Sequence, residues 1–577
     1  MQFLGSRYYR IAALIILLIA AVLALRACGQ PTPPSDENPQ TTATAVPPTP
    51  VTEVPTATVT ITSKPPPPGF VEDQLIVVGR RQDIERVLSR YRDQGNTRPP
   101  TQSLAAAGGL IEQAQEPVTR TRPVSIELKP DQSLELSRFY PPPSSIPSTT
   151  PAPPSEMSLY HLAAPADVTD TVSAVSPPEV AGELNRLAAE MGVKRFGADP
   201  NYVLGAMQPG VGADDPWIIK GGPFEVPVTA TNAATDFIAQ WALGTGGIGL
   251  YLNGSRAITT TGSGIQVTVF DTSPFTITDG TSAQTTISSN PPATDPASTL
   301  NLTVTHPAAQ ALAASANADR REHGVYVASL VHAVAPGAGI ELIRVLNADG
   351  LGDLWALNRA MYDRLGQVAA GPGLRNHTVF NLSLGFVRPS PPNPSPSGPQ
   401  PGDATFGAPI GVVTDTNPVA SLATLTEVAE SLGVLVVAAA GNDSRGGAPM
   451  PMQVPADLPS VVGVGATNVS SQAACFSNAG DTWAPGGDGL DLAIANQNCE
   501  PPMTQCDGEA NHAHCLIGLT SSGAFAYWAG TSFATSLVAG MGALLLEGGH
   551  SVSETRQALT QGHGSPASGL TISSVHP

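Results

Sequence analysis

The 577 residues include 28 Lys and Arg against 47 Asp and Glu, a formal charge of −19, so nothing in the balance would draw the chain to a nucleic-acid backbone. Gly and Pro number 57 each, yet 13% of residues are charged and 41% hydrophobic, which excludes both a highly charged disordered chain and a pure low-complexity one. A mean hydropathy near zero excludes a multi-span membrane protein, and the length allows two to four domains of about 100–200 residues.

In chain order, Arg7 and Arg10 precede fifteen apolar residues, Ile11 to Leu25, which stop at Arg26. A charged stretch followed by an apolar one is an export signal. The run is shorter than the ~20 residues that span a bilayer comfortably, so a cleaved signal and a membrane anchor both stay open. Leu25-Arg26-Ala27-Cys28-Gly29 resembles a bacterial lipoprotein cleavage box, with Arg26 a poor fit, and makes Cys28 a lipidation candidate. Residues 1–30 are therefore assigned to a signal peptide or anchor and 31–69, rich in Pro and Thr, to an extended polyproline-type linker.

Residues 70–205 change to a globular pattern. A strand is expected over Phe70–Gly79 and a helix over Asp83–Arg92, where Ile84, Val87 and Leu88 recur at helical spacing. A Pro- and Ser-rich stretch, about 94–156, reads as a disordered insert. Beyond it a strand (158–163), a helix (180–191) and a strand (Ala198–Leu204) complete a small α+β sandwich. By pattern alone this is an independent accessory domain.

Three strings further on carry chemistry. Gly264 to Ser273 is an apolar strand ending in Asp271, the place where an open α/β sheet presents site residues. A lone Asp there is usually a turn residue. Glu322-His323-Gly324-Val325-Tyr326-Val327-Ala328-Ser329 opens an apolar helix with a His, by itself more often structural. Trp528-Ala529-Gly530-Thr531-Ser532-Phe533-Ala534-Thr535 puts Ser532 at the start of a buried helix, where a Ser is ordinarily a cap but where the helix dipole also favours a developing oxyanion. Between them lie two apolar strands, Val379 to Gly385 and Val434 to Asp443, as a parallel sheet covered on both faces requires.

Together, DTS, HGVYVAS, SLG, AAGN and GTSFAT resemble, in order, the Asp, His, substrate-strand, oxyanion and Ser strings of the subtilisin-like serine proteases. The resemblance implies a three-layer α/β/α catalytic domain with a mostly parallel sheet over 206–577, preceded by a small α+β propeptide domain over 70–205. It implies Ser532 as nucleophile, His323 as general base, Asp271 as its orienting carboxylate, and Asn442 as oxyanion-hole donor. Ser383, Leu384, Gly385 and Gly441 would bind substrate, the first three as an edge to which a peptide adds as a strand. The expected activity is that of an exported endopeptidase made as a zymogen, cut between about 200 and 235, with its own propeptide as inhibitor and a protein or peptide as substrate. The departures are Ser273 for Gly, Val325-Tyr326 for Thr-His, and Ser536 for Pro. None removes a reacting group.

A Thr- and Ser-rich insert, 275–307, separates the Asp strand from the His helix, and a Pro-rich one, 388–401, follows the substrate edge. Cys475, Cys499, Cys506 and Cys515 fit two disulfides in an exported chain, with three pairings open, or a zinc site shared with His512 and His514. No cofactor is required by the implied chemistry. Family members often bind structural calcium, but no clear loop of clustered carboxylates is present and no metal ligand is assigned. Asp443, beside Asn442, would favour basic side chains in the primary pocket. Two rivals stay open: an inactive subtilisin-fold binding module, against which all four catalytic positions stand, and a narrow-specificity processing protease.

Overall fold

The computed structural model describes residues 70–95, 127–140, 153–163, 177–206, 224–225, 233–252, 255–275, 282–289, 300–306, 321–386, 419–444, 448–487, 506 and 514–575. The apolar N-terminal run, Cys28, the Pro/Thr linker, the Pro-rich 388–401 loop and Cys499 lie outside them. Among the described residues no helix is long and apolar enough to cross a membrane.

The N-terminal sandwich comprises β1 (Phe70–Gly79), α1 (Arg81–Gly95), β2 (Glu127–Glu135), β3 (Glu156–Ala163), α2 (Pro177–Glu190) and β4 (Gly197–Ala206). Its strands run β4-β1-β3-β2, all antiparallel. The period of two in β1 sends Leu75 and Val77 toward α1 and α2, and Ile76 and Val78 to the opposite face, where they join the core of the larger domain. Both faces of this sheet are thus buried.

One expectation needs correction. The stretch 94–156, read as a disordered insert, contains β2 and a 3₁₀ turn, Ser137–Phe139. Leu134, Leu136 and Phe139 are buried there, and the contacts they make outweigh a Pro- and Ser-rich composition.

The larger domain is built on β5 (Gln266–Asp271), β6 (Ala283–Ser288), β7 (Asn301–His306), α3 (His323–Val334), β8 (Gly339–Arg344), β9 (Leu351–Asp353), α4 (Leu354–Ala370), β10 (Thr378–Leu382), β11 (Leu384–Phe386), α5 (Ala420–Ser431), β12 (Val434–Ala439), β13 (Val461–Thr467), β14 (Thr482–Pro485), β15 (Leu516–Leu519), β16 (Phe525–Trp528), α6 (Thr531–Glu547) and α7 (Val552–Thr560). Eight strands form one sheet, β14-β13-β12-β10-β5-β8-β7-β6, parallel except for the β6–β7 pair at its edge. The Thr- and Ser-rich insert supplies that edge hairpin.

Helices α3, α6 and α7 pack in the core on one face, and α4 and α5 in the core on the other, the three-layer α/β/α arrangement. Residues Thr531 to Leu546 of α6 are all buried, so the helix is apolar all round rather than amphipathic. Gly540 lets it lie close to α3: a Cβ there would come within 2.6 Å of the Val334 Cβ.

Candidate active site

Asp271 ends β5, and His323 opens α3, the next described helix in the chain, after the β6–β7 hairpin. The strand end and the helix start meet because residue 324 is a glycine: a Cβ there would lie 2.1 Å from the Thr272 carbonyl oxygen. Thr272 ties the two further, its hydroxyl accepting from Gly324 N at 3.0 Å and donating to Arg321 O at 3.1 Å. His323 Nδ1 then lies 2.7 Å from Asp271 Oδ1, with both side chains at 0% exposure. With the carboxylate on Nδ1, the hydrogen-bonding assigns the proton to that nitrogen and leaves Nε2 as the basic edge. Nε2 is buried and has no hydrogen-bond partner among the described residues.

Ser532 is the second residue of α6, after Gly530 and Thr531, and is wholly buried. Its hydroxyl lies 3.3 Å from the Ser383 carbonyl oxygen, while the Ser383 hydroxyl donates to Ser532 O at 3.0 Å and accepts from Asn381 Nδ2 at 2.9 Å. The nucleophile candidate and the substrate-edge candidate are therefore in direct contact. Ser536, where the family often has Pro, donates to Ser532 O at 2.8 Å and keeps the helix intact.

Asn442 follows β12. Its Oδ1 accepts from Thr531 N and Thr531 Oγ1, both at 3.0 Å, so the amide oxygen faces the start of α6. Gly441, before it, has φ 114°, where a Cβ would meet Asn478 Nδ2 at 2.5 Å. Asn478 Oδ1 in turn accepts from Asp443 N at 3.1 Å and Ser444 N at 3.2 Å. Asp443 Oδ2 is taken by Asn478 Nδ2 at 3.1 Å and by Gln453 Nε2, so this carboxylate serves to hold the loop.

Leu384 and Gly385 lie on β11. That strand and β9 flank the end of β4, with Leu351↔Gly205 and Gly352↔Leu204 on one side and Leu384↔Ala206 and Gly385↔Gly205 on the other, antiparallel throughout. The end of the N-terminal sandwich thus lies as a middle strand against the candidate substrate edge.

Cys506 and Cys515 form a disulfide with an S–S distance of 2.01 Å, which removes both from any zinc site, and Cys475 is also disulfide-bonded. Among the described residues no group of three or more His, Cys, Asp or Glu side chains is placed to hold a metal ion.

Sequence reasoning missed the aromatic side chains around His323. The rings of Trp528 and Phe533 each stand 5.5 Å from the imidazole. The only signal was that both flank the GTS string, which singles out the Ser but says nothing of a packing partner.

A family model described as the Subtilase family, Peptidase_S8, matches residues 257–563. Subtilisin E from Bacillus subtilis (strain 168) is 29% identical over 241 residues, covering 40% of this chain and 46% of that protein. Subtilisin from Bacillus pumilus is 28% identical, over 40% and 64% respectively, and subtilisin-like protease 4 from Trichophyton equinum 26%, over 40% and 45%. The chain spans about half the length of the first of these relatives. A cold-adapted subtilisin-like serine proteinase of known structure matches 57% of this chain and 95% of its own, with 22% identity and a TM-score of 0.36.

Proposed function

The chain belongs to the subtilase family, and from that premise we propose that it is an exported serine endopeptidase, made as a zymogen whose inhibitor is its own residues 70–206. The observation that carries the catalytic part is the buried Asp271–His323 pair, 2.7 Å apart, beside the Ser532 helix. In this reading Ser532 Oγ attacks the substrate carbonyl and passes its proton to His323 Nε2, while Asp271 supports the imidazolium that results. The oxyanion receives hydrogen bonds from Asn442 Nδ2 and from the Ser532 backbone N–H at the positive end of α6. The imidazolium then protonates the leaving amine, and water repeats the sequence to release the acyl group.

The zymogen part is supported by β4, which pairs on both sides as a peptide substrate would. Sandwich side chains also cap the helices behind the cleft. Asp199 accepts from Ala420 N at 3.1 Å and Ser421 N at 2.8 Å, and Asn201 Oδ1 from Trp355 N at 2.8 Å. Export and a tether rest on the apolar run Ile11–Leu25 and the Pro/Thr linker.

The test is fluorophosphonate labelling of the full chain beside Ser532→Ala. The wild type is expected to be labelled at Ser532 and to cleave peptides, and the variant to do neither. A folded wild type that resists the label and leaves peptides intact would point instead to an inactive binding module.

A further inference from the structure

The imidazole of His323 is held on one edge by Asp271. Its other surroundings are aromatic, and they converge on a residue with no place in the chemistry above. Tyr326 lies one turn along α3 from His323, on the same face, and is fully buried. Its ring stands 4.6 Å from Phe533 and 5.5 Å from Trp528, edge to face with the latter, and those two rings are 5.4 Å from each other. Phe533 and Trp528 are also the two rings against the imidazole. Three elements, α3, the β15–β16 hairpin and α6, therefore meet through four rings.

The Tyr326 hydroxyl fixes this arrangement. It donates to Leu516 O at 2.6 Å, and Leu516 is the residue directly across the hairpin from Trp528. The ring fits only because residue 518 is a glycine, whose Cβ would fall 2.5 Å from it. One hydrogen bond from the His helix thus sets the position of the ring that packs on the His.

We propose that Tyr326 is a positioning residue for His323, acting through Trp528 and Phe533 to hold the imidazole plane and keep water from it. One consequence follows. The base keeps one orientation between turnovers, which is a kcat effect, since a misplacement of the order of an ångström is costly in a proton transfer. The described charged groups around the ring are few. Asp271 comes from β5. Glu322, next along α3, has its carboxylate engaged by Ser521 N and Ser521 Oγ, both at 2.8 Å, with Arg321 Nε 3.4 Å from it. The hairpin and α6 present Trp528, Phe533 and Ser532, none of them charged.

This proposal rests on His323 being the base, and the experiment separates the two. The full-length protein is assayed on a peptide substrate across pH as wild type, Ser532→Ala, Tyr326→Phe, Trp528→Phe and Ser329→Ala. Hydrolysis by the wild type and its loss in Ser532→Ala support the underlying site; an inactive wild type overturns both claims. Tyr326→Phe, which removes only the hydroxyl, is expected to lower kcat about 10-fold with KM unchanged. Trp528→Phe should act in the same direction and serves as the reading if Tyr326→Phe does not fold.

Ser329 is the control. It ties the same helix to the same hairpin, accepting from Leu519 N at 3.0 Å and donating to the Tyr326 backbone carbonyl at 2.7 Å, so its removal loosens that junction without touching the Tyr326 hydroxyl. Ser329→Ala should lower the melting temperature and leave kcat in place. An active enzyme in which Tyr326→Phe loses only thermal stability, or in which Ser329→Ala lowers kcat equally, overturns the positioning role while leaving the catalytic reading intact.

Discussion

The amide oxygen of Asn442 takes two hydrogen bonds from Thr531 at 3.0 Å each, and in the proposed mechanism the amide nitrogen donates to the oxyanion. The two ends can be separated by substitution. Asn442→Asp keeps an acceptor for Thr531 but has no N–H to donate and adds a negative charge, so kcat should fall about 10²–10³-fold with little change in KM. Asn442→Ala loses both ends and should add a stability loss of about 1–3 kcal/mol, because the buried Thr531 donors are left without an acceptor. Steady-state kinetics and thermal melts of both variants check this, and an Asp variant with wild-type kcat would remove Asn442 from the oxyanion hole. Asp271, His323, Ser532 and Asn442 could be singled out as candidates from the sequence, because each sits in a short string whose neighbours are fixed by backbone constraints. Gly324 is an example, forced by the Thr272 carbonyl. Tyr326 was legible only as a departure, since its meaning depends on Leu516 and Trp528, which the fold alone brings to it.

Elements were legible where one period dominates. The strand expected over 70–79 is β1, and the helix expected over 83–92 extends to Arg81–Gly95. The alternation in β1 could not show that both of its faces are covered, because that depends on a second domain arriving at Ile76 and Val78. β2 was lost to composition for a related reason: its buried Leu134 and the neighbouring Leu136 and Phe139 gain partners only from that domain. The caps that β4 gives to α4 and α5 were likewise invisible, since Val419, the residue at the N-cap of α5, provides no side-chain bond of its own. Asp199 fills that place at a cost. Burial, opposed by the Ser421 and Ala420 N–H groups, pushes its carboxyl up from 3.8 to about 6. Tyr202, close by, has its own proton held more tightly by burial and by the Asp199 charge. A raised value in the docked state means that the docked state binds the proton more tightly. The contribution to docking is therefore fully present below about pH 3.8 and is lost as the pH rises through about 6. Once cut, the sandwich should leave the catalytic domain more readily at pH 7 than at pH 5. Asp199→Asn, with no proton to exchange, should flatten that dependence. Size-exclusion chromatography of the processed protein at the two pH values measures it, and equal retention of the wild-type sandwich at both would sink the argument.

At the scale of the molecule, the proposed zymogen reading requires one chain to act as enzyme and first substrate. The sequence placed a terminal strand at Ala198–Leu204 and a cut somewhere between 200 and 235, but no sequence pattern specifies register, which is set by which residues pair across β4, β9 and β11. The last pairs are Phe386↔Leu204, Gly385↔Gly205 and Leu384↔Ala206, so β4 advances along its chain as β11 runs back toward Ser383. The Ser383 carbonyl oxygen lies 3.3 Å from Ser532 Oγ. In an antiparallel ladder each step forward on one strand is a step back on the other, so on the proposed zymogen reading this register favours a cut one residue beyond Ala206 in the sequence. The expected scissile bond is therefore Met207–Gln208: water adds across it, leaving a carboxylate on Met207 and a new amino terminus at Gln208. N-terminal sequencing of the mature fragment should return Gln-Pro-Gly-Val, and Ser532→Ala should stay uncut. Met207→Asp should slow processing severalfold or more without altering the mature enzyme, because the substitution lies in the part removed and places a charge where an unbranched apolar side chain leads. A mature terminus well downstream of 208, produced with unchanged efficiency by Met207→Asp, would mean that the strand docks without presenting its own next bond, and that the cut is made on another chain or by another protease.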